Sequence, residues 1–76
     1  MRARAAHRRT AWSAARAAVD YAAISRDAVS RPVVEAEELF HKAELLIAAR
    51  GGITAASEAE QCAVRADRLW RAAADA

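Results

Sequence analysis

Alanine occupies twenty-four of the 76 positions of this chain, which has only two glycines and one proline. Alanine has the highest helix propensity of the amino acids, whereas glycine and proline are the residues that interrupt helices. A chain of this kind is therefore expected to be helical almost throughout. Alanine side chains also bury little apolar surface, so the helices must share a thin hydrophobic core.

The composition excludes several other classes of protein. One cysteine cannot build a disulfide framework, and no stretch approaches the roughly 18 consecutive apolar residues of a membrane span. A hydrophobic fraction of 55% with 29% charged residues argues against a disordered tail. We therefore expect a cytoplasmic protein without membrane contact, in which Cys62 is a reduced, buried side chain.

Hydrophobic periodicity divides the chain into three helices. The predicted bounds are residues 10–29, 32–50 and 55–74, after a basic N-terminal arm formed by residues 1–9. Thr10 is the expected cap of the first helix, and Pro32 suits the first turn of the second. The pair Gly51-Gly52 is a strong stop signal for the second helix. Thr54 and Ser57 are equally good caps for the third.

These helices predict an all-α fold. The short Gly-Gly connection makes the second and third helices an antiparallel hairpin, on which the longer N-terminal helix packs. Residues 10–76 then form one small domain, a three-helix bundle that is either monomeric or dimeric. The apolar residues predicted to face the core from the first helix are Trp12, Ala15, Val19, Ala22 and Val29, with Tyr21, Ile24 and Ala28 widening this stripe.

The charges are unevenly distributed along the chain. Residues 1–31 carry seven basic against two acidic residues, a net charge of +5, whereas residues 32–76 carry five basic against eight acidic ones, a net charge of −3. The simpler interpretation is that the first helix packs on the rest of the chain or on a neighbour. The alternative is that the basic end binds a polyanion.

Nucleic-acid binding is the alternative function that these charges predict. The guanidinium group of arginine matches phosphate through two parallel hydrogen bonds. The candidate nucleic-acid-binding residues are Arg2, Arg4, Arg8, Arg9 and Arg16. Trp12 is close enough in sequence to stack on a base, although its place on the apolar stripe favours a core or interface position.

The connection between the second and third helices resembles the turn of a helix-turn-helix DNA reader over residues 48–54. The resemblance covers only the pattern A-x-x-x-G-I-T. The first turns of the helix that follows carry Glu58 and Glu60, which oppose contact with phosphates. The simpler interpretation is a helix that ends at glycine and is followed by a helix with an N-terminal cap. This interpretation accounts for the same residues.

Neither metal binding nor catalysis is predicted. Glu38 and His41 form an E-x-x-H pair, a spacing that di-iron bundles use, but such a site needs two copies and further inward carboxylates. Whether a homodimer completes this pair is left open by the sequence. Cys62 has no neighbouring base, and no Ser/His/Asp arrangement or phosphate-binding loop is present. We expect no cofactor and no enzymatic activity.

The function predicted first is therefore a small non-enzymatic protein–protein interaction module. It would present a rigid helical face to another protein, as an adaptor, a regulator or an inhibitor of a larger assembly. The candidate partner-binding residues are Trp12, Arg16, Arg68, Trp70 and Arg71, because tryptophan and arginine are enriched at binding hot spots. The partner protein is not identified by the sequence, and a homodimer is a further alternative.

Overall fold

The computed structural model describes the backbone of residues 2–76 and the side chains of residues 5–76. This part of the chain forms three α-helices, α1 (Arg2–Asp27), α2 (Val34–Ala49) and α3 (Ile53–Asp75). Side chains near the start of α1 contact the α2–α3 turn, and Ser25 near its end bonds to Asp67 of α3. α1 and α3 therefore run in parallel, with α2 antiparallel to both. The predicted all-α three-helix bundle is confirmed.

The first helix begins earlier than predicted. α1 extends back to Arg2, so the residues predicted to form a separate arm belong to it from that position onward. Thr10 does not cap a helix, because its hydroxyl donates to the carbonyl of Ala6 at 2.9 Å within α1. Alanine and arginine are both strong helix formers, and no residue in this stretch interrupts the hydrogen bonds between successive turns.

The second helix begins two residues after its predicted start. Pro32 lies in the loop, and Val33 is the N-cap of α2 with an extended backbone (φ −117°, ψ 96°). Glu35 and Glu37 lie in the first turn of the helix, where the partial positive charge of the helix N-terminus favours acidic side chains.

The α2–α3 turn is built around Arg50. This residue has a left-handed backbone conformation, and its N–H contacts the carbonyls of both Leu46 and Ile47. Gly52 is then the N-cap of α3, so the helix starts at Ile53 and neither predicted cap, Thr54 or Ser57, occupies that position. Arg50, and not Gly51, therefore takes the left-handed position that ends α2. The helix ends one residue earlier than the glycine pair predicts.

The core consists mainly of alanine packed on alanine. α3 lies in the middle of the bundle and contributes six of the buried residues. The buried side chains are Ala15, Ala18, Ala22, Ser25, Ala36, Phe40, Ala43, Ala56, Ala59, Cys62, Ala63, Ala66 and Trp70. α2 contributes Ala36, Phe40 and Ala43 to this set.

The predicted stripe of α1 is correct only in part. Ala15 and Ala22 are buried, whereas Tyr21 and Ile24 are 63% and 68% exposed. Small side chains on α1 let it approach the alanine face of α3 closely, and this packing turns the larger residues outward. The bundle is elongated, with Cα extents of 47 × 17 × 13 Å.

Candidate functional site

An open cleft lies between the N-terminal half of α1 and the C-terminal end of α2. It has a volume of about 840 Å³. Its lining residues are Ala5, Arg8, Arg9, Trp12, Ser13, Arg16, Ile47 and Arg50. Four of the eight side chains are arginines, so we refer to it as the arginine cleft.

Helical spacing places these residues on one face. Arg9, Trp12 and Arg16 follow one another at intervals of three and four residues, which brings them to one side of α1. Ile47 and Arg50 are three residues apart at the end of α2. The left-handed conformation of Arg50 ends α2 at this point. The side chain of Arg50 therefore lies at the edge of the cleft.

Two hydrogen bonds join the start of α1 to the α2–α3 turn. Arg8 Nη2 donates to the carbonyl oxygen of Arg50 at 3.1 Å, and Trp12 Nε1 donates to the carbonyl oxygen of Gly51 at 3.0 Å. A cation at a helix C-terminus is favourable because the last carbonyls of the helix carry partial negative charge. These contacts fix the position of the cleft walls relative to one another.

The charge of the cleft is not neutralised within the described residues. The salt bridges in this part of the chain join Lys42 to Glu58 and Arg71 to Asp67, so no carboxylate lies within ion-pair distance of the four cleft arginines. The hydrogen bond that Lys42 donates to Glu58 raises the pKa of Lys42 above its ordinary value. Each guanidinium of the cleft has five N–H donors. Within the described residues, the side-chain hydrogen bond that these four groups make is the one from Arg8 to the carbonyl of Arg50, so most of the donors are available to an anion.

The structure brings together much of the set predicted to bind nucleic acid. Arg8, Arg9 and Arg16 line the cleft beside Trp12. Arg2 and Arg4 belong to the same set, but their side chains lie outside the described residues. Sequence reasoning did not assign Arg50 to this surface, because it is more than thirty residues from the others. A basic residue directly before a Gly-Gly turn is the signal that points to it.

The set predicted to bind a partner protein does not form one surface. Trp12 and Arg16 line the arginine cleft, while Arg68 and Arg71 are exposed on the last turns of α3. Arg71 is paired with Asp67, Nε to Oδ2 at 2.9 Å. The two groups lie at opposite ends of the bundle.

Trp70 is a core residue rather than a surface anchor. Only 1% of its surface is exposed. Its ring packs edge-on against Phe40 with the centroids 5.4 Å apart. Cζ of Arg26 lies 4.8 Å from the ring centroid of Phe40 and 5.9 Å from that of Trp70. This adds a cation–π contact at the end of the bundle opposite the α2–α3 turn. Trp70 therefore stabilises the fold and offers no surface to a partner.

The remaining candidate groups are Glu38, His41 and Cys62. Glu38 and His41 are both exposed on α2, and the described residues contain no group of three His, Cys, Asp or Glu that could hold a metal ion. Cys62 is a buried free thiol. None of the three described helices is long and apolar enough to cross a bilayer.

The chain belongs to a protein family that is described as a family of unknown function, DUF6403, and the family model matches residues 1–75. No curated protein and no solved structure matches the chain significantly.

Proposed function

We propose that the protein is a small non-enzymatic interaction module that binds an acidic segment of another protein in its arginine cleft. The observation that carries this proposal is the set of four arginines, Arg8, Arg9, Arg16 and Arg50, around one cleft with no carboxylate within ion-pair distance of them in the described residues. Positive charges that line one cleft raise the local affinity for anions.

A short acidic peptide fits the cleft better than a long polyanion does. The positive surface is confined to one end of the molecule, and the chain beyond residue 31 has a net charge of −3. Trp12 is half-buried and Ile47 lies opposite it in the cleft wall, so an apolar side chain next to the acidic residues would also be accommodated. Arginine pairs with carboxylate through two parallel hydrogen bonds, which orients the bound segment.

Nucleic-acid binding is the second candidate function. It is favoured by the placement of Arg8, Arg9 and Arg16 on the same face as Trp12. Three acidic residues oppose it. Glu44 is exposed on α2 six residues before Arg50, and Glu58 and Glu60 lie in the first turns of α3. A nucleic-acid backbone that extends beyond the cleft would meet these negative charges.

We further propose that the protein acts in the cytoplasm as a regulator or inhibitor. A reduced, buried Cys62 suits the cytoplasm, where disulfides are rare. A module of this size that binds by one cleft suits a regulator or inhibitor of a larger assembly.

The test is a binding titration with labelled probes. We expect a fluorescent peptide of glutamates around one central leucine to bind, and a peptide with glutamines in place of the glutamates not to bind. Arg50→Gln should weaken binding about two- to fivefold, because an exposed arginine–carboxylate pair contributes up to about 1 kcal/mol. Substituting Arg9, Arg16 and Arg50 together should weaken it at least about tenfold.

Arg68→Gln is the matched control. It removes the same charge from an exposed position at the other end of the bundle, and it should leave the affinity unchanged. If the glutamate peptide does not bind, the proposal is wrong. A labelled random DNA duplex forms a separate arm: steep salt-dependent binding of the duplex with no peptide binding would establish the second candidate instead.

A further inference from the structure

α1 carries two apolar stripes, and the bundle buries only one of them. The inner stripe, which includes Ala15, Ala18 and Ala22, packs in the core. The outer stripe consists of Ala14, Ala17, Tyr21, Ile24 and Ala28, all exposed except for the half-buried Ala14. Tyr21 and Ile24 are among the most exposed large apolar side chains of the described residues, at 63% and 68%.

The spacing of the outer stripe is typical of a helix–helix contact. Its residues follow at intervals of three, four, three and four, which is the heptad repeat of a coiled-coil seam. Alanine at three of the five positions allows a second helix to approach closely. Ala14, Ala17 and Tyr21 also line a groove between α1 and α3, so the seam is recessed along one side.

Charged residues follow one edge of this stripe in a self-complementary order. Arg9, Arg16, Asp20 and Asp27 are separated by seven, four and seven residues, so all four lie on the same side of α1. They are exposed, and none of them forms a salt bridge with another described residue. Two positive charges precede two negative charges along the helix.

An antiparallel second copy of α1 satisfies both patterns in one register. With a two-fold axis at the level of Ala18, Arg16 lies opposite Asp20 of the second copy, and Arg9 lies opposite its Asp27. The same register sets Tyr21 between Ala14 and Ala17 of the second copy and Ile24 between its Thr10 and Ala14, so that large side chains pack on small ones. An isologous interface requires this kind of self-complementarity.

We propose that two copies of this chain associate through the outer stripe of α1 in the antiparallel arrangement just described. This dimer does not depend on the proposed function of the arginine cleft. Arg9 and Arg16 border both surfaces, so an acidic peptide and the second copy would compete for these two residues, whereas Arg8, Trp12 and Arg50 lie outside the pairing. The tests below therefore read self-association alone, without a peptide ligand.

Sedimentation velocity across about a hundredfold range of protein concentration is the first test. The wild-type mass is expected to rise from that of the 8.2 kDa monomer towards twice that value. Ile24→Asp should raise the dissociation constant at least about tenfold, because it buries a charge in the seam. Leu45→Asp is the control: Leu45 is 57% exposed on α2, and its replacement should not change self-association. Because both replaced residues are exposed, circular dichroism should show unchanged helix content.

A charge-reversal experiment tests the register. Arg16→Asp and Asp20→Arg should each self-associate more weakly than the wild type, since like charges then face one another. An equal mixture of the two variants should form a heterodimer, because both pairs across the two-fold axis are again opposite in charge. A wild-type protein that stays monomeric, an Ile24→Asp variant that dimerises like the wild type, or a mixture that associates no better than its components would each overturn the proposal.

Discussion

Arg50 holds a left-handed backbone conformation (φ 52°, ψ 51°), although two glycines follow it. This conformation costs a residue with a Cβ about 1 kcal/mol. Gly51 is required for a different reason: a Cβ at this position would lie 2.9 Å from Cβ of Ala55. The pair of glycines identifies the turn in the sequence. It does not predict which residue takes the left-handed conformation, because this depends on how soon α3 begins after the end of α2.

The two glycines are therefore expected to respond differently to substitution. Gly51→Ala should lower the free energy of unfolding by about 1–3 kcal/mol, because the new Cβ overlaps with Ala55. Gly52→Ala should change it by less than about 0.5 kcal/mol, since nothing lies within 4 Å of the added atom and a poorer N-cap is offset by a less flexible unfolded chain. Urea denaturation at one fixed protein concentration measures both. Equal losses for the two variants would contradict this account of the turn.

At the scale of the element, α1 is attached to the bundle near each of its ends. Arg8 and Trp12 bond to the carbonyls of the α2–α3 turn, and Ser25 Oγ donates to Asp67 Oδ1 of α3. The hydrophobic periodicity of α1 predicts a helix but does not decide which of its two stripes is buried. That choice depends on α3, whose face is nearly all alanine and accepts small side chains, and so Tyr21 and Ile24 remain outside.

Loss of the indole hydrogen bond should loosen the start of α1. Trp12→Phe keeps an aromatic ring but leaves the carbonyl of Gly51 without the donor at 3.0 Å. Hydrogen–deuterium exchange is expected to accelerate in the first turns of α1 and in the α2–α3 turn, with a loss of about 1 kcal/mol of local stability. Arg68→Gln, which changes an exposed side chain on the last turns of α3, is the control and should leave these rates unchanged. Unchanged exchange in the Trp12 variant would show that packing alone holds the helix end.

At the scale of the whole molecule, the fold gathers several of the basic residues around the arginine cleft. The basic first third of the chain was evident from the sequence, and it predicted Arg8, Arg9 and Arg16 as a binding surface. The sequence could not add Arg50 to that surface, because the contact depends on the turn that brings the end of α2 beside the start of α1. It also suggested Trp70 as an anchor, since a tryptophan near a helix end is compatible with either exposure or burial, and only its contact with Phe40 decides between them.

An NMR titration of the ¹⁵N-labelled protein with the glutamate–leucine peptide tests the arginine cleft most directly. The protein has two tryptophans, and each gives its own indole N–H signal. The account predicts that the Trp12 indole signal and the Nε–Hε signals of the four cleft arginines shift as peptide is added. The signals of the buried Trp70 indole and of Arg68 should stay in place. No shifts, or shifts of equal size at Arg68 and the cleft arginines, would contradict the assignment of the cleft as the binding site.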